Sequence, residues 1–215
     1  MVDPQVGLCD PNGSLAAAYG ASELEPIDRV MAKIAGIADR EDRAFDLIAV
    51  ISEYAIGQHT KGDTGHPLAG LCVPVLNQDC QLCQRMAQAT FDAVFIKSEK
   101  SALSSGGFRD WLDLSLRSGV NRFIICGVLL EHCVQETALD LMKRVASLNG
   151  EVTVCRDLVA SRKVKYKDGD LSIVEESVRP LLKHGVRVQS WNEVKVERAP
   201  ERDRGPTARE GWRTG

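Results

Sequence analysis

Aromatic side chains make up only 5% of this 215-residue chain, and histidine occurs four times. No apolar run approaches the roughly 20 residues of a membrane-spanning helix. Sparse aromatics and a formal net charge of −3 leave neither a stacking platform nor a basic surface for nucleic acid. The opening MVDPQVGLCD lacks a basic stretch followed by an apolar core, so it is not an export signal and a cytoplasmic protein is expected. Glycine-rich phosphate cradles are missing as well. Neither G-x-G-x-x-G nor G-x-x-x-x-G-K-[ST] occurs, and no nucleotide cofactor is expected.

Cysteine is not scarce: there are seven, Cys9, Cys72, Cys80, Cys83, Cys126, Cys133 and Cys155. An odd number without an export signal points to reduced thiols rather than a disulfide framework. CQLC, Cys80 to Cys83, is a single C-x-x-C pair with no second pair or histidine partners to complete a zinc site, so its cysteines read as ordinary thiols.

The apolar periodicity alternates between strand and helix. Ser22 and Glu25 have capping-box spacing, followed by Ile27, Val30, Met31, Ile34 and Ile37 at helical intervals. FDLIAVI (Phe45 to Ile51) and FDAVFI (Phe91 to Ile96) read as buried strands, separated by a polar stretch too long to be a mere connection. A helix carrying Phe108, Trp111, Leu112 and Leu116 follows. RFIICGVLL is a strand buried on both faces, and Val134, Ala138, Leu141, Val145 and Leu148 form a helix closed by Gly150. EVTVC is a further strand, LSIVEESVRPLLKHG a helix kinked or shortened at Pro180, and VRVQSW a last strand. Such alternation implies a mainly parallel, Rossmann-like sheet in a three-layer α/β/α sandwich over residues 1–191, with a polar, disordered tail over 192–215.

Ligands of such sheets bind beyond the carboxyl ends of the strands. There the sequence places Ser52 and Glu53, then Lys97, the segment around Cys133, and Asp157. Cys133 ends a strand and opens a helix, where free N–H groups and the helix dipole favour a thiolate.

Three segments together resemble the isochorismatase-like cysteine hydrolases, which include nicotinamidases and N-carbamoyl amidohydrolases. VDPQVGLCDPNGSLAAAYGA resembles the family's aspartate segment, IKSEKSAL its lysine segment, and CGVLLEHCVQETALDLM its nucleophile segment, with VCRDLVASR resembling the strand that follows. The resemblance implies a catalytic triad of Asp3, Lys97 and Cys133, with Lys100 a non-matching neighbour. It further implies an oxyanion hole from the N–H groups of Leu129 and Cys133, with a cis peptide between Val128 and Leu129. The implied activity is hydrolysis of a small amide, carbamoyl or related substrate through a Cys133 covalent intermediate. The alternative is an inactive relative serving as a binding or scaffold protein.

Two departures stand out. Asp3 is preceded by two residues where the family has a whole strand, so the first strand is truncated. Either the gene model starts late, which is the preferred reading, or a stub of strand serves, with Asp3 expected to be poorly held and open strand edges to lead to self-association. Where nicotinamidases place Asp-x-His for a metal, this chain has Ser52, Glu53 and Tyr54, and no metal is expected. Tyr54, Gln58 and His59, in the long loop, are candidate substrate contacts. Glu131 and His132 read as a capping carboxylate and a packed imidazole, and the basic run from Arg162 to Lys167 as a solvated loop. The expected partners are a small-molecule substrate and further copies of the chain, with no nucleic acid or membrane.

Overall fold

A computed structural model describes residues 1–39, 45–169 and 172–194. The tail beyond residue 194 lies outside the described residues. The chain opens with two short helices, α1 (Val6–Cys9) and α2 (Ser14–Tyr19), before the amphipathic α3 (Glu25–Ala38). Ser22 does not cap α3. The chain enters through a 3₁₀ turn, Ala21–Leu24, Pro26 presets the helical φ, and Glu25 instead pairs with Lys163 at 2.6 Å.

Five parallel strands follow: β1 (Ile48–Ser52), β2 (Ala93–Lys97), β3 (Arg122–Val128), β4 (Glu151–Ala160) and β5 (Arg187–Gln189). Helices α4 (Gly106–Arg117), α5 (Gln135–Val145) and α6 (Ser172–Lys183) connect them. β1 pairs with β2, and β3 with β4 and then β5. The two groups are joined by the N-terminus, because Val2 bridges both Val50 and Gly127 in parallel register.

The truncated first strand therefore still closes the sheet centre. Val2 N–H donates to Cys126 O at 2.8 Å, Val128 N–H to Val2 O at 3.0 Å, and Asp3 N–H to Val50 O at 2.9 Å. Asp3 is not poorly held, contrary to expectation from the sequence. Such close approach demands glycine at 127. Its φ is +116°, and a Cβ there would lie 2.1 Å from Val2 O.

One face of the sheet buries Ile27, Met31 and Ile34 of α3 against Cys126, Val128 and Cys155. The other buries Leu112 of α4, Val134, Ala138 and Leu141 near or on α5, and Leu181 of α6 against Val50, Ile125 and Val154. These are the three layers the periodicity implies. Two elements run longer than expected. β4 continues to Ala160 past a register shift opposite Ile125 to Gly127, and α6 runs through Pro180 to Lys183. Proline there removes one N–H close to the helix end, where the loss is small. No described helix is long and apolar enough to cross a membrane.

Candidate active site

Asp3 after the N-terminal bridge, Lys97 at the end of β2 and Cys133 in the turn beyond β3 meet at the sheet's carboxyl edge. Asp3 follows the Val2 bridge with φ of +51°, a left-handed conformation that aspartate tolerates better than most side chains. Its segment is pinned by the long loop. Val6 N–H donates to Gln81 O, Gly7 N–H to Asp79 O and Cys83 N–H to Pro4 O, all within 3.1 Å. Lys97 closes β2, and register places it opposite Ser52 of β1.

The Asp3 and Lys97 side chains are both fully buried, with Nζ 3.1 Å from Oδ2. Oδ1 accepts from the Ser52 hydroxyl at 2.7 Å, whereas Oδ2, apart from its ion pair with Lys97, has no hydrogen-bond partner among the described residues and keeps a lone pair for a proton. Lys97 Nζ also donates to Ser52 Oγ at 2.7 Å, Tyr54 Oη at 3.2 Å and Glu99 O at 3.0 Å. Burial pulls Lys97 down, but Asp3 and Cys133 outweigh it and hold its pKa above the ordinary lysine value. Lys100 lies outside, in an exposed 3.4 Å pair with Glu136.

Cys133 does not sit in the first turn of a regular helix. It lies in a π-helical turn, Leu130–Val134, that precedes α5 and is entered through the cis Val128–Leu129 peptide. Nor is its thiol acidic in the resting protein. Burial and the Asp3 carboxylate push it up to about 12, against the opposing pull of Lys97 and the Tyr54 hydrogen bond. The helix-terminus argument from the sequence omitted burial, which is the largest effect here. The arrangement is a neutral thiol beside a buried base and cation, a pair able to exchange one proton.

Of the candidate substrate contacts, Tyr54 is 5% exposed, with its hydroxyl 2.7 Å from Ser52 Oγ and 3.8 Å from Cys133 Sγ. His59 packs edge-on against the Tyr54 ring at 4.0 Å, and its Nε2 is buried with no partner among the described residues. Burial and the nearby Lys100 and Lys97 lower its pKa, favouring the neutral imidazole. The Gln58 amide accepts from Ala55 N–H at 3.0 Å and donates to Ser98 O at 2.7 Å, so it fastens the loop. Glu131 accepts from the Ser161 hydroxyl rather than capping a helix, and His132 is exposed. Asp157 lies within β4, accepting from Trp191 N–H at 2.6 Å. Arg162, in the basic run, stacks over Tyr19 at 3.7 Å.

In the sequence Ser52 is one of several polar residues at strand ends, and no spacing marks it as the group that joins Asp3, Tyr54 and Lys97. Among the described residues no three His, Cys, Asp or Glu side chains converge as metal ligands. With hydroxyls of Ser52 and Tyr54 where an Asp-x-His pair would provide a carboxylate and an imidazole, the residues do not fit the nicotinamidase metal. All seven cysteines are free. A cavity of about 1020 Å³ forms a separate groove beside α3, lined by Arg29, Lys33, Asp157 and Lys163 among others and by none of the three residues above.

The fold is similar to that of several solved structures. PnC1 from L. infantum, crystallised in complex with nicotinate, superposes with a TM-score of 0.64 at 21% identity, covering 88% of this chain and 90% of that one. The pyrazinamidase of Pyrococcus horikoshii, in complex with zinc, gives 0.64 at 19% identity over 89% and 97%. N-carbamoylsarcosine amidase from Thermoplasma acidophilum gives 0.57 at 17% identity over 90% and 95%. No curated protein shows significant sequence similarity. Residues 1–191 match the Isochorismatase domain, so the chain belongs to the isochorismatase-like hydrolase family.

Proposed function

We propose that this family member is a cysteine-dependent hydrolase of C–N bonds in a small amide or carbamoyl compound. The observation that carries this reading is the fully buried Asp3–Lys97 pair beside the Cys133 thiol. Removing two charges from water costs several kcal/mol each, and a buried pair adjoining a nucleophile is explained more readily by catalysis than by stability. This reasoning also disfavours an inactive scaffold.

The buried pair beside the thiol, together with the oxyanion hole that the family resemblance implies, supports the following mechanism. Cys133 gives its proton to Asp3 Oδ2, and Lys97 stabilises the thiolate as it forms. The thiolate attacks the substrate carbonyl carbon, and the oxyanion takes hydrogen bonds from the N–H groups of Leu129 and Cys133. Protonated Asp3 passes its proton to the departing amine nitrogen as the C–N bond breaks, leaving an acyl-thioester on Sγ. Water then attacks that thioester, with Asp3 accepting its proton and returning it to the Cys133 sulfur as the acid leaves. No step uses a metal, because the donor set does not fit one.

A panel of nicotinamide, pyrazinamide and N-carbamoyl amino acids, followed by ammonia release, tests the proposal with the Cys133→Ala variant alongside. Turnover lost by at least about 10³ in the variant is expected. Residual activity within about tenfold of wild type rules out covalent catalysis by this thiol. A cytoplasmic location, fitting seven free thiols, and a homo-oligomer belong to the same proposal; light scattering tests the latter.

A further inference from the structure

Building on the Cys133 reading, we propose that Tyr54 is a further catalytic residue, whose hydroxyl donates a hydrogen bond to the Cys133 thiolate, and that Ser52 is the positioning residue that holds it there. The hydrogens around Ser52 Oγ fix the direction of each bond. That oxygen lies 2.7 Å from each of Asp3 Oδ1, Tyr54 Oη and Lys97 Nζ, and it carries a single proton. Asp3 is a carboxylate and only accepts, so the serine proton goes to Oδ1. Lys97 only donates. The contact between Ser52 and Tyr54 is then made with the tyrosine's own proton.

Tyr54 therefore carries a proton that is engaged with Ser52 at rest and, among the described residues, has one other acceptor within reach, Cys133 Sγ at 3.8 Å. When Cys133 passes its proton to Asp3 Oδ2, the sulfur changes from a poor acceptor into an anion. The Tyr54 O–H then turns from Ser52 to Sγ, and Ser52 Oγ keeps its bond from Lys97. No proton leaves the phenol, and its burial beside Asp3 and Cys133 raises its pKa, against becoming a phenolate. The reversal follows when the thiolate is consumed by attack on the substrate. Tyr54 contributes a neutral donor that stabilises the thiolate but not the thiol, a difference that lowers the barrier to forming the nucleophile.

This differs from a substrate contact, the role its loop position suggested. The aromatic ring is wedged against His59 with Lys97 Nζ 5.5 Å from its centroid, so the hydroxyl has little freedom beyond that choice of acceptor.

The test is the alkylation rate of Cys133 by iodoacetamide, measured by mass spectrometry of its peptide between pH 6.5 and 8.5, with the buried Cys126 and Cys155 as internal references. Tyr54→Phe keeps the ring and is expected to slow Cys133 about tenfold, the equivalent of one unit of thiol pKa, across that range. Ser52→Ala slows it in the same direction, the double variant is no slower than Tyr54→Phe alone, and Ser52→Thr, which restores a hydroxyl, recovers the rate to within about twofold. General loosening of the fold would speed all three thiols, so slowing confined to Cys133 is not a structural side effect. Wild-type alkylation in Tyr54→Phe, or Ser52→Thr as slow as Ser52→Ala, overturns the assignment. Neither result touches the Cys133 proposal, which stands or falls on turnover by Cys133→Ala.

Discussion

Replacing Lys97 by methionine tests how the site is held together. The side chain is fully buried, and methionine fills a similar volume while removing the cation 3.1 Å from Asp3 Oδ2. What remains is an anion inside the protein, with one bond from Ser52 as its nearest compensation. Breaking a buried ion pair from one side costs about 3–5 kcal/mol, because the partner is left desolvated and unpaired. In a domain of this size each kcal/mol shifts the melting temperature by about 2–4 °C, so a fall of roughly 6–20 °C is expected. Removing both charges in Asp3→Asn/Lys97→Met should restore at least about half of that loss, since the penalty belongs to the orphaned charge rather than to the missing attraction. Urea unfolding at pH 7, followed by circular dichroism on wild type, the single variant and the double variant, measures both quantities. A cost below about 1 kcal/mol for Lys97→Met, or a double variant no more stable than the single, refutes a dry, functional pair and implies that water reaches it.

Alkaline titration gives a related expectation. Because the folded pKa of Lys97 is raised, its contribution is complete below about pH 10.4 and is lost as pH climbs through the higher folded value, so wild type should destabilise there more steeply than Lys97→Met. By contrast, Lys100→Met should change stability by no more than about 0.5 kcal/mol by urea unfolding, its pair with Glu136 being exposed. Gly127→Ala should fail to accumulate as folded protein or lose more than about 3 kcal/mol, since a Cβ cannot share space with Val2 O; near-native stability by the same assay would mean the N-terminal bridge is dispensable. Among the native thiols, Cys80 should react first with a bulky aromatic disulfide reagent, because the other six are buried. One fast equivalent mapped to Cys80 is the expected result, and a fast Cys133 would contradict its burial.

The alternation of short apolar runs with helical spacing determined the layer architecture and the parallel strands without help from tertiary contacts. Burying both faces of a strand requires apolar residues at every position, as in Ile124 to Val128, and burying one side of a helix requires them three or four apart, as in Ile27 to Ile34. The same logic put Lys97 and Cys133 at strand ends. Local spacing carries no information on how distant segments meet, and there the sequence alone stopped. That two residues ahead of Asp3 suffice to join β1 to β3 depends on hydrogen bonds to Val50, Cys126 and Val128, as many as 126 positions away. The thiol of Cys133 was expected to be acidic from its helix end, yet burial and the proximity of Asp3, both set by packing, raise it. Gln58 and Asp157 looked available in the sequence and are occupied by backbone groups of other segments. Ser52, in the sequence one polar strand end among several, is a junction of Asp3, Tyr54 and Lys97 only because β1 lies between the N-terminus and β2. Charge, burial and hydrogen-bond direction are properties of neighbours in space, and for this site those neighbours come from four separate parts of the chain.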